Sequence, residues 1–122
     1  MIKPKITISS GYHSFKTTTF IKKLYRVVDR HYKDENFNIT QLVELMYLSE
    51  RQIQRKVKTL FGLSPSNFIC YYRVYKSIPL LNNGKQITVV SYEVGFNSSN
   101  YFSRCFKKVM NQSPTSYINQ SN

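Results

Sequence analysis

Residues 38–118 carry one pattern written twice, and this repeat constrains the fold more than any other feature. Ile39, Leu42, Val43 and Met46 recur 48 positions later as Ile87, Val90, Ser91 and Val94. Beyond a short turn the offset becomes 49. Ser49 then maps to Ser98, Ile53 to Phe102, Arg55 to Arg104, Lys58 to Lys107 and Leu60 to Val109. Farther on, Ser64-Pro65 maps to Ser113-Pro114 and Phe68-Ile69 to Tyr117-Ile118. The extra residue falls in the second turn, where an insertion costs least. A repeat on this scale means that one supersecondary unit is built twice. In each copy apolar residues come three and four apart, which is one face of a helix. A turn comes next, then a second helix with a polar, basic outer face. Two short helices joined at a steep angle by a few residues form a helix-turn-helix. The expected fold is all-α, about seven helices, with two homeodomain-like helix-turn-helix units joined by a long linking helix.

Local signals place the boundaries. Asn38 with Gln41, and Ser49 with Gln52, have the spacing of capping pairs, in which each side chain satisfies the other residue's backbone donor. With Gly62 as a left-handed stop, they bound the first unit at residues 38–62. Ser64-Pro65 opens the linking helix, since Pro suits a first helical position that needs no donor. Asn82-Asn83-Gly84 closes it, giving 65–82. Gly95 ends the small-apolar stripe that starts at Ile87, and Asn97 or Ser98 caps the next helix, so the second unit spans 87–109. A final helix runs over 114–119. Before the repeat, Phe20 or Ile21, Leu24, Val27, Val28 and His31 mark the inner face of a helix over 18–33, capped by Thr18 or Thr19. Residues 1–17 lack a helical stripe and read as a tail or interdomain linker, in which IKPKITI is at most an unpaired strand. Pro79 conflicts with the linking helix, because it removes a donor and crowds the carbonyl of Tyr75 at a cost of about 3 kcal/mol. A kink over 75–79, or an end at Ile78, is expected.

Composition narrows the function. Eighteen Lys and Arg against six Asp and Glu give a net charge of +12 and a pI near 9.9. A domain pI above about 9 fits the footprint of a nucleic-acid binder. Cys70 and Cys105 lie on separate helices without a CxxC or paired His, which argues against zinc and for a reduced, cytoplasmic protein. His31 reads as a helix-end residue and His13 as a tail residue. There is no carboxylate pair, Cys/His cluster or glycine-rich phosphate loop, so no enzymatic activity, cofactor or metal is expected. No apolar run approaches the roughly 20 residues of a membrane span.

The stretch VVSYEVGFNSSNYFSRCFKKVMNQSPTSYI resembles the signature of the second helix-turn-helix in the AraC/XylS family of bacterial transcription regulators. LSERQIQRKVKTLFGLSPSNFI in the first unit and RVYKSIPLL on the linking helix support the resemblance, which covers roughly Phe20 to Ile118. The run from LSERQIQRK through SPSNFI is similar to members fused to two-component signalling proteins. Ser77 and Ser91 stand where the family carries Ala, and Ile118 where a terminal Arg is common. Asn111 replaces a Gly, and Asn tolerates the left-handed conformation. The resemblance implies a DNA-binding output domain of a longer regulator, with two recognition helices reading successive major-groove segments of promoter DNA. It implies RNA polymerase as a further partner and places dimerisation outside this domain, which alone is expected to be monomeric. An interaction module that has kept the fold but lost specific DNA binding is the alternative.

A major groove about 12 Å wide admits a helix, and base edges there distinguish all four pairs. The base-contacting candidates are Arg51, Gln54 and Arg55 in the first unit, and Ser99, Asn100, Ser103 and Arg104 in the second. Arg can bind guanine, and Gln adenine, through two hydrogen bonds. Lys56, Lys58, Lys107 and Lys108, with Ser64 and Ser113 at helix N-termini, are the phosphate-contacting candidates. Arg55 and Arg104 have competing partners in Glu44 and Glu93. Tyr101, Phe102 and Phe106 are expected in the core. Tyr71, Tyr72 and Tyr75 are expected to pack between the two units.

Overall fold

The computed structural model describes residues 15–121, and the regular elements among them are seven helices. They are α1 (Phe15–His31), α2 (Ile39–Met46), α3 (Glu50–Phe61), α4 (Pro65–Asn82), α5 (Ile87–Glu93), α6 (Ser99–Met110) and α7 (Pro114–Ser121). The IKPKITI stretch and His13 lie outside the described residues. Helices α2 and α3 form the first helix-turn-helix, with α1 packed on α2. Helices α5 and α6 form the second, with α7 packed on α6. Between them runs α4, which packs against α3, α5, α6 and α7.

Being shared by two units, α4 is buried on most sides. Phe68, Val74, Ser77 and Ile78 are fully enclosed, and Ile69, Tyr72, Arg73 and Leu81 nearly so. A helix apolar all round is the expected form for such a position. The two small polar residues buried at this junction stay satisfied: the Ser77 hydroxyl donates to the Val74 carbonyl at 2.6 Å. Ser91 on α5 does the same to Thr88 at 2.7 Å. On the first side Tyr25, Phe61, Phe68 and Tyr72 pack ring against ring. On the second, Phe96, Phe102, Phe106 and Tyr117 continue the pattern. Burial of one such ring as fully as Phe102 contributes about 1.5–3 kcal/mol. Tyr72, expected to pack between the units, instead packs on the α1 side, against Tyr25 and Tyr32, with its hydroxyl donating to Asp29 at 2.5 Å.

Both ends of α1 and the end of α7 differ from the sequence expectation. α1 begins at Phe15, so residues 15–17 belong to the helix, and it ends at His31 rather than Lys33. Thr18 and Thr19 lie inside it instead of capping it. The Thr19 hydroxyl donates back to the Phe15 carbonyl at 2.9 Å, a bond that lets Thr sit within a helix. His31 closes α1 half-buried, stacked on Phe37 with ring centroids 5.4 Å apart. Pro79 does not end α4 at Ile78, one of the two outcomes expected for it; the helix runs on to Asn82, the expected end of the span. Pro79 falls in the last turn with its side chain exposed, and its carbonyl still accepts from the Asn83 amide at 3.1 Å. Ile78 and Leu81 on either side are buried, and their packing outweighs the one lost donor. α7 extends slightly past the expected Asn119.

The units are joined through Arg73. Its side chain, only 8% exposed, donates from Nε to the Tyr32 carbonyl at 2.9 Å. Its Nη2 reaches the Asp34 carbonyl at 2.9 Å and that of Phe37 at 3.4 Å. The guanidinium also lies 5.9 Å from the centre of the Phe96 ring. Gly95, the turn residue of the second unit, fits against the same place with φ +98°. A Cβ there would stand 2.0 Å from the Tyr32 oxygen and 2.8 Å from Arg73 Nε. Tyr47 occupies the matching left-handed turn of the first unit, at φ 56°, with its ring 86% exposed and Lys23 Nζ 4.8 Å from its centroid.

Gly62 has a similar positive φ but open space around it, which separates backbone strain from steric conflict. Gly62→Ala should cost about 1 kcal/mol, the left-handed penalty alone. Gly95→Ala should cost about 3 kcal/mol or more, because backbone atoms must move apart. Urea unfolding of the two variants checks this, and equal losses would overturn the packing role of Gly95.

Candidate nucleic-acid interface

Each recognition helix is started by a serine cap. The Ser49 hydroxyl oxygen accepts from the Gln52 amide at 3.2 Å, while Gln52 Oε1 accepts from the Ser49 amide at 3.0 Å. Ser98 accepts from the Tyr101 amide at 3.0 Å. Asn38 closes the matching box on α2 with Gln41. These caps hold the first turns that carry the candidate readers. Burial of Ile53, Val57 and Leu60 on α3, and of Phe102, Cys105 and Phe106 on α6, turns the opposite faces to solvent.

On α3, Arg51, Gln54, Arg55 and Lys58 all project from the exposed face. With Ser64, Pro65 and Ser66 at the start of α4, and Ile39 at the start of α2, they line an open hollow of about 650 Å³. Five sequence-predicted residues therefore converge there. Ser64 caps α4 by accepting from the Asn67 amide at 3.2 Å, which leaves its hydroxyl proton available to donate outward. Lys56 does not join them. It is half-buried with Nζ 5.4 Å from the centre of the Phe20 ring, on the side facing α1.

On α6, Asn100, Arg104 and Lys107 are exposed, and Ser99 and Ser103 half-buried. Lys108 is exposed on the flank, where its charge acts on Cys70 and Cys105. Ser113 caps α7 by accepting from the Ser116 amide at 3.1 Å. The expected place of Tyr101 is corrected, because its ring is 42% exposed rather than in the core. It sits at the edge of the α6 face, packed against Phe96, with the Arg104 guanidinium 5.7 Å from its centroid. A three-residue spacing between Tyr101 and Arg104 was the available signal. Ile39, Pro65 and Ser66 gave no such signal, since their place beside α3 comes from the tertiary fold.

One of the two competing carboxylates, Glu93, is engaged elsewhere. Glu93 pairs with Lys85 at 3.1 Å and Asp29 with Lys76 at 3.2 Å, and these are the ion pairs given by the described residues. The Asp29 carboxyl is held below its ordinary value, first by the Tyr72 hydrogen bond and then by Lys76. No cluster of three potential metal ligands occurs among the described residues. No described helix is long and apolar enough to cross a membrane.

Two capped, outward-facing recognition helices on one linking helix define a bipartite helix-turn-helix domain. A family model described as a helix-turn-helix domain matches residues 42–120. The chain belongs to the AraC-type family of helix-turn-helix DNA-binding domains. Among relatives, it is 32% identical over 101 residues to histidine kinase P4 of Formosa agariphila, covering 82% of this chain and 7% of that protein. It is 33% identical over 98 residues to the HTH-type transcriptional regulator YdeC of Bacillus subtilis, covering 80% of this chain and 33% of YdeC. The chain thus spans a third or less of these relatives. The C-terminal domain of the two-component response regulator yesN from Fusobacterium nucleatum superposes with a TM-score of 0.73. That match has 25% identity and covers 82% of this chain and 98% of that one. The DNA-binding domain of AdpA, solved with a target DNA, superposes with a TM-score of 0.72 at 22% identity, over 83% of this chain and 90% of that one.

Removing either serine cap should loosen the turn that presents the candidate readers. Ser49→Ala and Ser98→Ala should each lower stability by about 1 kcal/mol, measured by thermal unfolding. A loss below a few tenths for both would mean that packing alone sets the two helix starts.

Proposed function

We propose that this domain binds duplex DNA sequence-selectively, with α3 and α6 each entering a major-groove segment, as the output domain of a longer bacterial transcription regulator. One observation carries the reading. Arg55 and Arg104, at matching places in the repeat, both project from capped, solvent-facing helices, and neither takes part in the ion pairs above. Neither is paired with Glu44 or Glu93 among the described residues, so both guanidinium groups are open to a ligand. The solved complex of AdpA with its target DNA and the response-regulator origin of the yesN domain support the reading by analogy of fold.

In this reading Arg51, Gln54 and Arg55 read base edges from α3, and Asn100, Ser103 and Arg104 from α6, with Ser99 at the helix start. Lys58, Lys107 and the hydroxyls of Ser64 and Ser113 hold phosphates and set register. Lys56 and Lys108 contribute to the general positive field rather than to a fixed contact. The reading carries with it a non-enzymatic role, a cytoplasmic location and contact with RNA polymerase at promoters. Dimerisation would belong to the rest of the protein, leaving this domain monomeric.

The test is selection of bound duplexes from a random pool at two salt concentrations. Two conserved blocks about one helical turn (~10 bp) apart are expected. On the selected duplex, Arg55→Ala and Arg104→Ala should each cost about 1–3 kcal/mol and relax preference at one base pair. Lys107→Ala should instead weaken every duplex alike and reduce the salt slope by about 1. Equal losses on selected and random DNA for all three variants would overturn these roles. No enrichment at either salt would favour an interaction module on the same fold.

A further inference from the structure

A hollow lined by none of the candidate DNA readers lies where the two units meet, and it encloses about 520 Å³. Its walls come from three parts of the chain. Lys33 stands just beyond the end of α1, Lys76 and Pro79 belong to α4, and Lys85 and Glu93 flank α5. Small-molecule sites have volumes of about 300–1,000 Å³ and occur preferentially at interfaces between structural units. We infer that this crevice binds a small organic phosphate, a monoester on an apolar body, which braces the two units against each other.

The donors match that ligand. Lys33, Lys76 and Lys85 each bring a compact ammonium with three rotatable donors, the form in which lysine holds phosphate. A phosphate monoester offers three acceptor oxygens and close to two negative charges, so one oxygen can meet a lysine from each wall. The lysines are free to turn to it. Lys33 is exposed and forms no ion pair among the described residues. Lys85 meets both Glu93 oxygens at 3.1 Å and Lys76 meets Asp29 at 3.2 Å, yet these four side chains are 33% to 55% exposed. Ion pairs so open to solvent contribute little, and a dianion competes with them readily. Glu93 also restricts the occupant, because it repels a ligand charged along its whole length and favours one with a single anionic end. Pro79, Leu80 and Val94 supply apolar wall for the other end.

The consequence comes from position. Tyr32 and Val94, both in the lining, adjoin the place where the units are joined. The Tyr32 carbonyl accepts from Arg73 and faces Gly95, the residue after Val94. A phosphate held by Lys33 from one side and Lys85 from the other adds a second link across that joint, on which the placement of α3 and α6 depends. Ligand and two-block duplex then favour the same arrangement, and each raises the affinity for the other by the same factor. This coupling rests on the function proposed above, whereas ligand binding does not.

The experiment titrates the whole chain with phenyl phosphate by calorimetry, beside benzoate and inorganic phosphate. Phenyl phosphate should bind about tenfold tighter than either, since benzoate lacks the second charge and inorganic phosphate the apolar end. Lys33→Ala and Lys85→Ala should each weaken it about tenfold. Lys22→Ala, at an exposed lysine of α1 outside the crevice, should leave it unchanged. Amide NMR shifts of the wild type should move at Leu80 and Val94, and they decide the site should a variant not fold. Equal binding of the three anions, or an equal loss in Lys22→Ala, would mean general attraction to a chain of net charge +12 and overturn the site. Variants that bind phenyl phosphate normally but lower the salt slope of duplex binding would assign the crevice to DNA phosphates and overturn it too. Saturating phenyl phosphate should tighten the two-block duplex about fivefold, and an unchanged affinity would overturn the bracing. A chain that binds the ligand but selects no duplex would overturn the DNA reading instead, with the lysine variants still deciding the site.

Discussion

A single buried cation determines how the halves of this domain sit together. Arg73 comes from the linking helix, yet the groups that satisfy it belong to the end of α1 and the segment after it, through the carbonyls of Tyr32, Asp34 and Phe37. Carbonyls at a helix C-terminus carry unsatisfied acceptor capacity and partial negative charge, so a guanidinium is the natural partner there. Burial alone draws the Arg73 pKa down, and three carbonyls together with the Phe96 ring offset that cost. Only a planar group with several donors could meet carbonyls in different directions while one face rests near a ring. The second unit then closes over the arrangement at Gly95, where no side chain fits. First unit, linking helix and second unit are thereby fixed through one residue and one missing Cβ.

This explains why Pro79 matters less than its chemistry suggests. The relative placement of α3 and α6 depends on where α4 is held, and it is held at its middle by Arg73 and along its length by Phe68, Val74 and Ile78. Pro79 comes after those contacts, in a turn whose inward residues are already committed to the core. A proline before Arg73 would interrupt the segment that orients both units, whereas in the final turn it removes one donor near the surface.

The same contrast separates what was legible in the sequence from what was not. Helix starts at Asn38, Ser49, Ser64 and Ser98, and the left-handed stops at Gly62 and Gly95, are set by hydrogen bonds within a few residues, so local spacing revealed them, while the stop at Asn111 was read from the family resemblance. The repeat did the rest, because a matching register in two copies identifies an outward face that a single helix leaves ambiguous. Arg51, Gln54, Arg55, Lys58 and Ser64 were assigned in this way, and they meet around one hollow. The position of Lys56 away from the hollow, the exposure of Tyr101 and the start of α1 were not legible for one shared reason: their places are set by distant parts of the chain. Lys56 turns to α1 because the Phe20 ring lies there, and Tyr101 stays out because Phe96 and Phe102 already fill the interior beside it. The burial of Cys70 and Cys105 is of the same kind: nothing in the spacing of two cysteines reveals that their helices pack together.

The repeat also shows where the two units part company. With the offset of 49, Arg51 corresponds to Asn100 and Gln54 to Ser103, while Arg55 and Lys58 keep their charge as Arg104 and Lys107. The scaffold is duplicated, but the reading chemistry is not. Side chains of α3 are long, and their donors extend into an open hollow bordered by the Ser64 and Ser66 end of α4. Those of α6 are shorter, and its arginine lies over the Tyr101 ring, a cation–π contact worth roughly 0.5–1 kcal/mol at such an exposed site. Arg104 must give up or reshape that contact to reach a base, whereas Arg55 reaches straight into the hollow. On the proposed DNA reading, α3 therefore supplies more of the affinity. The second unit, with shorter reach and a restrained arginine, supplies less of it.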